Sequence, residues 1–252
     1  MRPPTSGSPQ RLILLHGFTQ SARIWDPVRA ALEPRESVAL DLPGHGAGSD
    51  EGGSLAEGAD RLAERGGTGT WVGYSMGERY ALHVALAHPG RVGGLVLVGA
   101  HPGLEDDAER ARRRAADEAL ATRIVSVGLP TFLEEWLAQP LFAGLSAAAR
   151  APEARRGNRA AGLARALRDA GTGTQEPLWN RLPDLAMPVL YVVGERDGRY
   201  RAVGERVVEA LGARGRLAVV PDAGHAAPFE QPDAFVTLLV RWLRETAAPP
   251  PS

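Results

Sequence analysis

The sequence predicts an α/β fold, a mostly parallel, doubly wound sheet interrupted by a helical cap. Six short apolar runs bounded by glycine or proline, at residues 12–15, 37–40, 70–73, 95–98, 189–193 and 217–220, read as strands buried on both faces. Helical patterns lie between most of them, giving the strand and helix alternation of a parallel sheet with right-handed crossovers. The interval 101–182 breaks that alternation: it holds helical segments and no strand pattern, and reads as an insertion above the strand ends.

In chain order, the run LILL at 12–15 leads into His16-Gly17-Phe18, and the run at 37–40 leads into the turn-forming DLPGHG of 41–46. The third run leads into Gly73-Tyr74-Ser75-Met76-Gly77 and then into a helical pattern over 80–87, with apolar positions at Ala81, Leu82, Ala85 and Leu86. Within the insertion, 105–127 is a charged amphipathic helix, and Thr131 with Glu134 predicts a capping box opening a second helix that carries Phe132 and Trp136. The stretch GTGTQE at 171–176 is turn-rich and marks the return to the sheet. The division expected is a core of 1–100 and 183–252 with a cap of 101–182. The polar, proline-rich ends, 1–10 and 247–252, read as frayed tails, not as linkers to further domains.

Composition narrows the function. A chain of 252 residues that is 44% hydrophobic can bury one substantial core. Its formal net charge of -1, with acids and arginines interleaved, argues against a nucleic-acid partner, which needs a one-sided basic surface. The first apolar run is too short for a signal-peptide core or a membrane span, so no membrane insertion and a cytoplasmic location are expected. There is no cysteine, which excludes disulfides, thiolate metal sites and a cysteine nucleophile. All 29 basic residues are arginine, so any single arginine carries a weakened functional signal.

The chemistry is concentrated in three loops. G-x-S-x-G between a strand and a helix is the context of a nucleophile elbow, in which a strained turn thrusts the Ser75 hydroxyl out of the sheet. The same turn puts the backbone NH of Met76 at a helix N-terminus, where it can stabilise negative charge developing on a substrate oxygen. The second such donor is expected after the first strand, at the NH of Phe18. His16 and His45 read as loop-shaping, and His83 and His88 fall on or just after the helix behind Ser75. His225, in the loop after the last strand, is the candidate base, since imidazole can take and return a proton near neutral pH. Asp197, after the penultimate strand, is the candidate orienter; Asp222 competes but sits too close to His225 along the chain to approach the ring easily.

Together LLHGF, DLPGHG, GYSMG, VGERD and AGH resemble the α/β-hydrolase superfamily across nearly the whole chain. More narrowly, GYSMGxR, the stretch WLAQPLF at 136–142 and GERDxxYRA around Asp197 resemble the 2-succinyl-6-hydroxy-2,4-cyclohexadiene-1-carboxylate synthases (MenH-like) of menaquinone biosynthesis. The resemblance implies that the Ser-His-Asp set abstracts a proton from a small, polycarboxylated substrate, which then expels pyruvate without consuming water. It implies that Arg79, Arg113 and Arg155 hold carboxylates, through bidentate guanidinium pairing, and that Tyr74 and Trp136 wall the pocket. No metal or organic cofactor is implied, and a monomer is compatible with the sequence. Arg113 with Asp117 also fits an ordinary i,i+4 surface pair. Glu78 departs from the small residue usual in that family; a carboxylate there would either neutralise Arg79 or point outward.

The alternatives keep the same residues. A carboxylesterase or carbon–carbon bond hydrolase would use a Ser75 acyl-enzyme, and a non-catalytic binding protein on this fold would leave the set idle. The direction in which the arginines of the insertion face separates a polyanion pocket from an apolar one.

Overall fold

The computed structural model describes residues 11–99 and 101–247. The two ends read from sequence as tails lie outside these, except that Ala247 closes the last helix. Six strands form one parallel sheet: β1 (Leu12–Leu15), β2 (Ser37–Leu40), β3 (Gly69–Tyr74), β4 (Val92–Val98), β5 (Val189–Gly194) and β6 (Gly215–Val220), ordered β2-β1-β3-β4-β5-β6. Helices α1 (Asp26–Ala31), α2 (Leu55–Gly66) and α3 (Met76–Ala87) follow the first three strands. Four helices, α4 (Asp107–Val127), α5 (Leu129–Leu137), α6 (Glu153–Arg156) and α7 (Ala160–Ala170), intervene between β4 and β5, and α8 (Gly198–Leu211), α9 (Ala227–Glu230) and α10 (Pro232–Ala247) complete the chain.

The continuous apolar runs have a direct cause: alternate side chains leave opposite faces of a strand, and here both faces are covered. Ile13, Leu15, Trp71, Leu95, Leu97 and Tyr191 pack on one side with α2, α3 and α8. Leu12, Leu14, Val72, Val96, Val98 and Leu190 pack on the other against Trp25, Val28, Phe235 and Trp242 of the N-terminal segment and α10. A third, smaller cluster of Ala121, Ile124, Phe132, Leu163 and Leu167 joins α4, α5 and α7, with Phe18 and Trp136 on its edge.

Helix boundaries follow local chemistry. Ser54 and Glu57 form a reciprocal capping box at the start of α2, the Ser54 hydroxyl accepting from the Glu57 NH and the Glu57 carboxylate accepting from the Ser54 NH at 2.8 Å. The expected box at Thr131 and Glu134 is absent. Gly128, at φ +78°, ends α4 and starts α5 directly, with Pro130 in the first turn, so Thr131 already lies inside the helix. Asp106 caps α4 instead, its carboxylate accepting from the Glu109 NH at 2.7 Å.

The connection order positions the site. The chain passes from β1 outward to β2 and then back across to β3, so the strand order reverses between β1 and β3. At such a switch point the loops diverge and leave a crevice above the carboxyl ends of the strands. The loops after β1, β3, β5 and β6, which carry Phe18, Ser75, Asp197 and His225, all leave the sheet at that end.

Candidate active site

Ser75 occupies the sharp turn between β3 and α3 at φ +53°, ψ −111°, a region that costs a side-chain-bearing residue about 1–3 kcal/mol. Its NH is anchored to the Val98 carbonyl at 2.8 Å. The flanking glycines follow from crowding. A Cβ at Gly73 would collide with the backbone of Gly77 and Glu78, and one at Gly77 with the carbonyls of Leu15 and His16.

His225 lies 3.3 Å from Ser75, Nε2 to Oγ, and its Nδ1 lies 2.9 Å from Asp197 Oδ2. With Nδ1–H donating to the carboxylate, Nε2 is left to accept the serine proton. The ring and the carboxylate are both buried. The competing Asp222 is exposed and turned to Arg196 at 2.7 Å. Glu230 fixes the base from behind: its two oxygens accept from the NH of Gly224 at 2.8 Å and of Ala226 at 3.0 Å, the residues on either side of His225.

Met76 opens α3, so its NH is one of the amides that a helix leaves without an internal partner. Phe18 lines the same cavity as Met76 and Ser75. The loop that carries it is tied by Gln20, whose side-chain oxygen accepts from the Gly17 NH at 2.8 Å. Thr19 sits at φ +67°, unusual for a β-branched residue. It is held from several sides, by His45 on its NH, Asn158 of the inserted segment on its carbonyl and Arg155 on its hydroxyl. His16 donates from Nδ1 to Gly17 and accepts from the Leu42 NH at 3.1 Å. Burial drives His16 down to about 4 and His45 to about 3, so both are neutral scaffolding. His88 pairs with Asp60 on the surface, and His83 lies away from the cavity.

Ser75 and His225 open into a cavity of about 270 Å³ walled by Phe18, Tyr74, Leu120, Trp136, Phe142 and Leu167. Arg79, Arg113 and Arg155 line it too, and among the described residues no carboxylate does. Arg79 is buried and spends one NH on the Ala170 carbonyl at 2.6 Å. Arg155 is 1% exposed and bonds the Arg150 carbonyl and the Thr19 hydroxyl, while its Nη2 has no partner. Neither has a carboxylate partner among the described residues. Arg113 does form the i,i+4 pair with Asp117, at 2.9 Å, while its side chain still reaches the cavity wall. Two buried cations without counter-ions are costly unless an anion arrives to pair with them.

A family model described as the alpha/beta hydrolase family matches residues 12–238. The chain belongs to this family. A 2-succinyl-6-hydroxy-2,4-cyclohexadiene-1-carboxylate synthase of Enterobacter sp. (strain 638) is 35% identical over 243 residues, covering 92% of this chain and 91% of its own. The solved structure of MenH from S. aureus superposes with a TM-score of 0.88 at 27% identity over 96% of both chains. A thermophilic esterase from Thermogutta terrifontis, at 24% identity and a TM-score of 0.76 over 96% of this chain and 92% of its own, shares the fold. Within the alpha/beta hydrolase family the chain is therefore a MenH-like enzyme.

For this hydrolase-family chain, sequence reasoning missed several residues of the site. Tyr200 lines the cavity, its ring centroid 4.8 Å from that of His225. Gln20, Asn158 and Glu230 act on loop backbone and carry no motif. Glu78 resolves in neither expected way. It is wholly buried, both its oxygens lack partners, and it does not line the cavity or pair with Arg79. Burial pushes its carboxyl up to about 8, so near neutral pH it is largely protonated and leaves the charge of Arg79 intact. A raised carboxyl pKa means that the folded state holds a proton which the unfolded chain releases above its ordinary value of 4.5, so stability falls as pH rises from there to about 8. Glu78→Gln is expected to melt several degrees above the parent at pH 8.5 and close to it at pH 4.5, as read by calorimetry at the two pH values.

Among the described residues no group of three or more His, Asp or Glu is placed to hold a metal ion, and no helix is long and apolar enough to cross a membrane.

Proposed function

We infer that this enzyme eliminates pyruvate from a polycarboxylated cyclohexene, the reaction implied by its resemblance to the 2-succinyl-6-hydroxy-2,4-cyclohexadiene-1-carboxylate synthases, one of which is its Enterobacter relative. The single observation that carries the reading is the lining of the cavity onto which Ser75 and His225 open: among the described residues it holds three guanidiniums and no carboxylate. A neutral ester would find buried, unpaired cations there, whereas a substrate bearing several carboxylates supplies their counter-ions. In the proposed reaction His225 Nε2 draws the proton of Ser75, and Ser75 Oγ takes a proton from the ring carbon of the substrate. The released electron pair moves through the ring and breaks the bond to the enolpyruvyl oxygen, and the departing enolate takes the proton held on His225 Nε2 to become pyruvate, which returns Ser75 and His225 to their starting states. The NH groups of Phe18 and Met76 receive the negative charge that develops meanwhile on a substrate oxygen. The atoms balance without water. The helices inserted between β4 and β5, which bring Arg113, Trp136 and Arg155 to the cavity through their side chains, serve as its cap on a cytoplasmic protein.

Pyruvate release from 2-succinyl-5-enolpyruvyl-6-hydroxy-3-cyclohexene-1-carboxylate tests the reading directly. Arg155→Met, which keeps the stem but removes the charge, is expected to lower kcat/KM by about 100-fold, the scale of lost charge-assisted bonds. The same change is expected to move the melting temperature by only a few degrees, because deleting a buried cation that has no carboxylate partner offsets the loss of its bonds to Arg150 and Thr19. Steady-state kinetics and a thermal melt on one preparation check both.

A further inference from the structure

Beside the cavity that holds Ser75 lies a second one, also of about 270 Å³, which shares His101, Arg113, Thr172 and Tyr200 with the first. It adds Arg112 from α4 and Arg199 from the first turn of α8, with Glu109 its only acid among the described residues. The pairing pattern of the surrounding arginines gives Arg199 its meaning. Neighbouring surface arginines are tied to acids: Arg196 to Asp222, Arg201 to Glu205 and Arg206 to Glu105, at 2.7, 3.4 and 2.9 Å. Arg199 has no carboxylate partner among the described residues; it only lies 5.8 Å from the centroid of the adjacent Tyr200 ring. Arg112 reaches Asp106 only at 4.0 Å, with both side chains exposed, a separation at which a pair is worth little.

We propose that this vestibule, built by Arg112, Arg199 and the outer side of Arg113, is a second anion site that binds a carboxylate at the mouth of the catalytic cavity. Its ligand class is the small di- or tricarboxylate. The proposal rests on the reading that the adjoining cavity takes a carboxylate-bearing substrate, and adds where a further carboxylate is captured before it reaches Ser75. Weakly compensated cations at the mouth of a cleft with low-dielectric walls raise the local concentration of an anionic ligand and speed its entry.

Two tryptophans serve as reporters, and because His101 lines both cavities the comparison of Arg199→Gln with Arg201→Gln assigns the Trp179 response to the vestibule. The Trp179 ring lies edge-on to His101 at 5.3 Å, beside the vestibule, while Trp136 lines the catalytic cavity. The experiment is a succinate titration at fixed ionic strength, followed by the two indole NH resonances in NMR. In the unaltered protein the Trp179 resonance is expected to move and saturate. Arg199→Gln is expected to weaken that titration about fivefold, the scale of one contact charge in water. Arg201→Gln, which removes the same formal charge from the same helix, leaves it unchanged. A Trp179 resonance that ignores succinate, or titrates identically in the Arg199→Gln and Arg201→Gln proteins, overturns the vestibule. A silent Trp136 resonance counts instead against the anionic reading of the catalytic cavity, so the two failures are distinguishable.

Discussion

Ser75→Ala is expected to cut pyruvate release by about 10⁴-fold or more, leaving only what the charged cavity and the backbone amides provide. The magnitude follows from geometry. The hydroxyl is the one group on the elbow that touches both the base, at 3.3 Å, and the cavity, and alanine keeps the turn while removing the proton carrier. Alanine also suits the site structurally, since the strained φ of +53° is fixed by the Val98 carbonyl and the crowded glycines and not by the side chain. The variant is therefore expected to melt within a few degrees of the parent, which separates lost chemistry from lost fold. Single-turnover pyruvate release and a thermal melt provide the check.

Asp197→Asn is expected to lower kcat by about 10³- to 10⁴-fold with a smaller change in KM. The carboxylate accepts from Nδ1 of His225 at 2.9 Å and so keeps the proton off Nε2, the nitrogen facing Ser75. An asparagine amide would donate to Nδ1, place the imidazole proton on Nε2, and leave the serine without an acceptor. Because the three residues act as one unit, the Ser75→Ala/Asp197→Asn double variant is expected to be no slower than Ser75→Ala alone. Kinetics of the two single variants and the double variant decide whether Asp197 acts through His225 or independently.

How much of this was legible in the sequence follows physical lines. The inner strands were readable because a parallel sheet covered on both faces demands unbroken apolar runs, and the run at 12–15 matches β1 residue for residue; the run at 37–40 also matches β2, although at the sheet edge its four residues are only partly buried. Ser75, Asp197 and His225 were readable because each sits in the loop directly after a strand, so chain order alone predicts their meeting at one edge. The start of α5 was misread because Thr131 and Glu134 have capping-box spacing, while the positive φ at Gly128 and the proline two residues on had already fixed the start. Glu78 could not be read: its burial depends on how tightly the elbow packs α3 against the ends of β1 and β3, which no local pattern encodes. Arg79, Arg113 and Arg155 were singled out through family resemblance alone, because in a chain whose every basic residue is arginine the residue type itself says little. Their shared cavity depends on the course of the insertion. Asn158 and Arg155, which hold the Phe18–Thr19 loop from that insertion, lie more than 130 residues from it in sequence, beyond the reach of any spacing argument.

On the proposed function the Ser75 site eliminates and does not hydrolyse. The measurement that tests it most directly sets pyruvate release from 2-succinyl-5-enolpyruvyl-6-hydroxy-3-cyclohexene-1-carboxylate beside a panel of p-nitrophenyl esters, with the parent enzyme and Ser75→Ala. Rapid pyruvate release that Ser75→Ala loses, with little or no ester turnover, is the expected result. Ester turnover that depends on Ser75, without pyruvate release, would contradict it and assign the same three residues to an acyl-enzyme hydrolase.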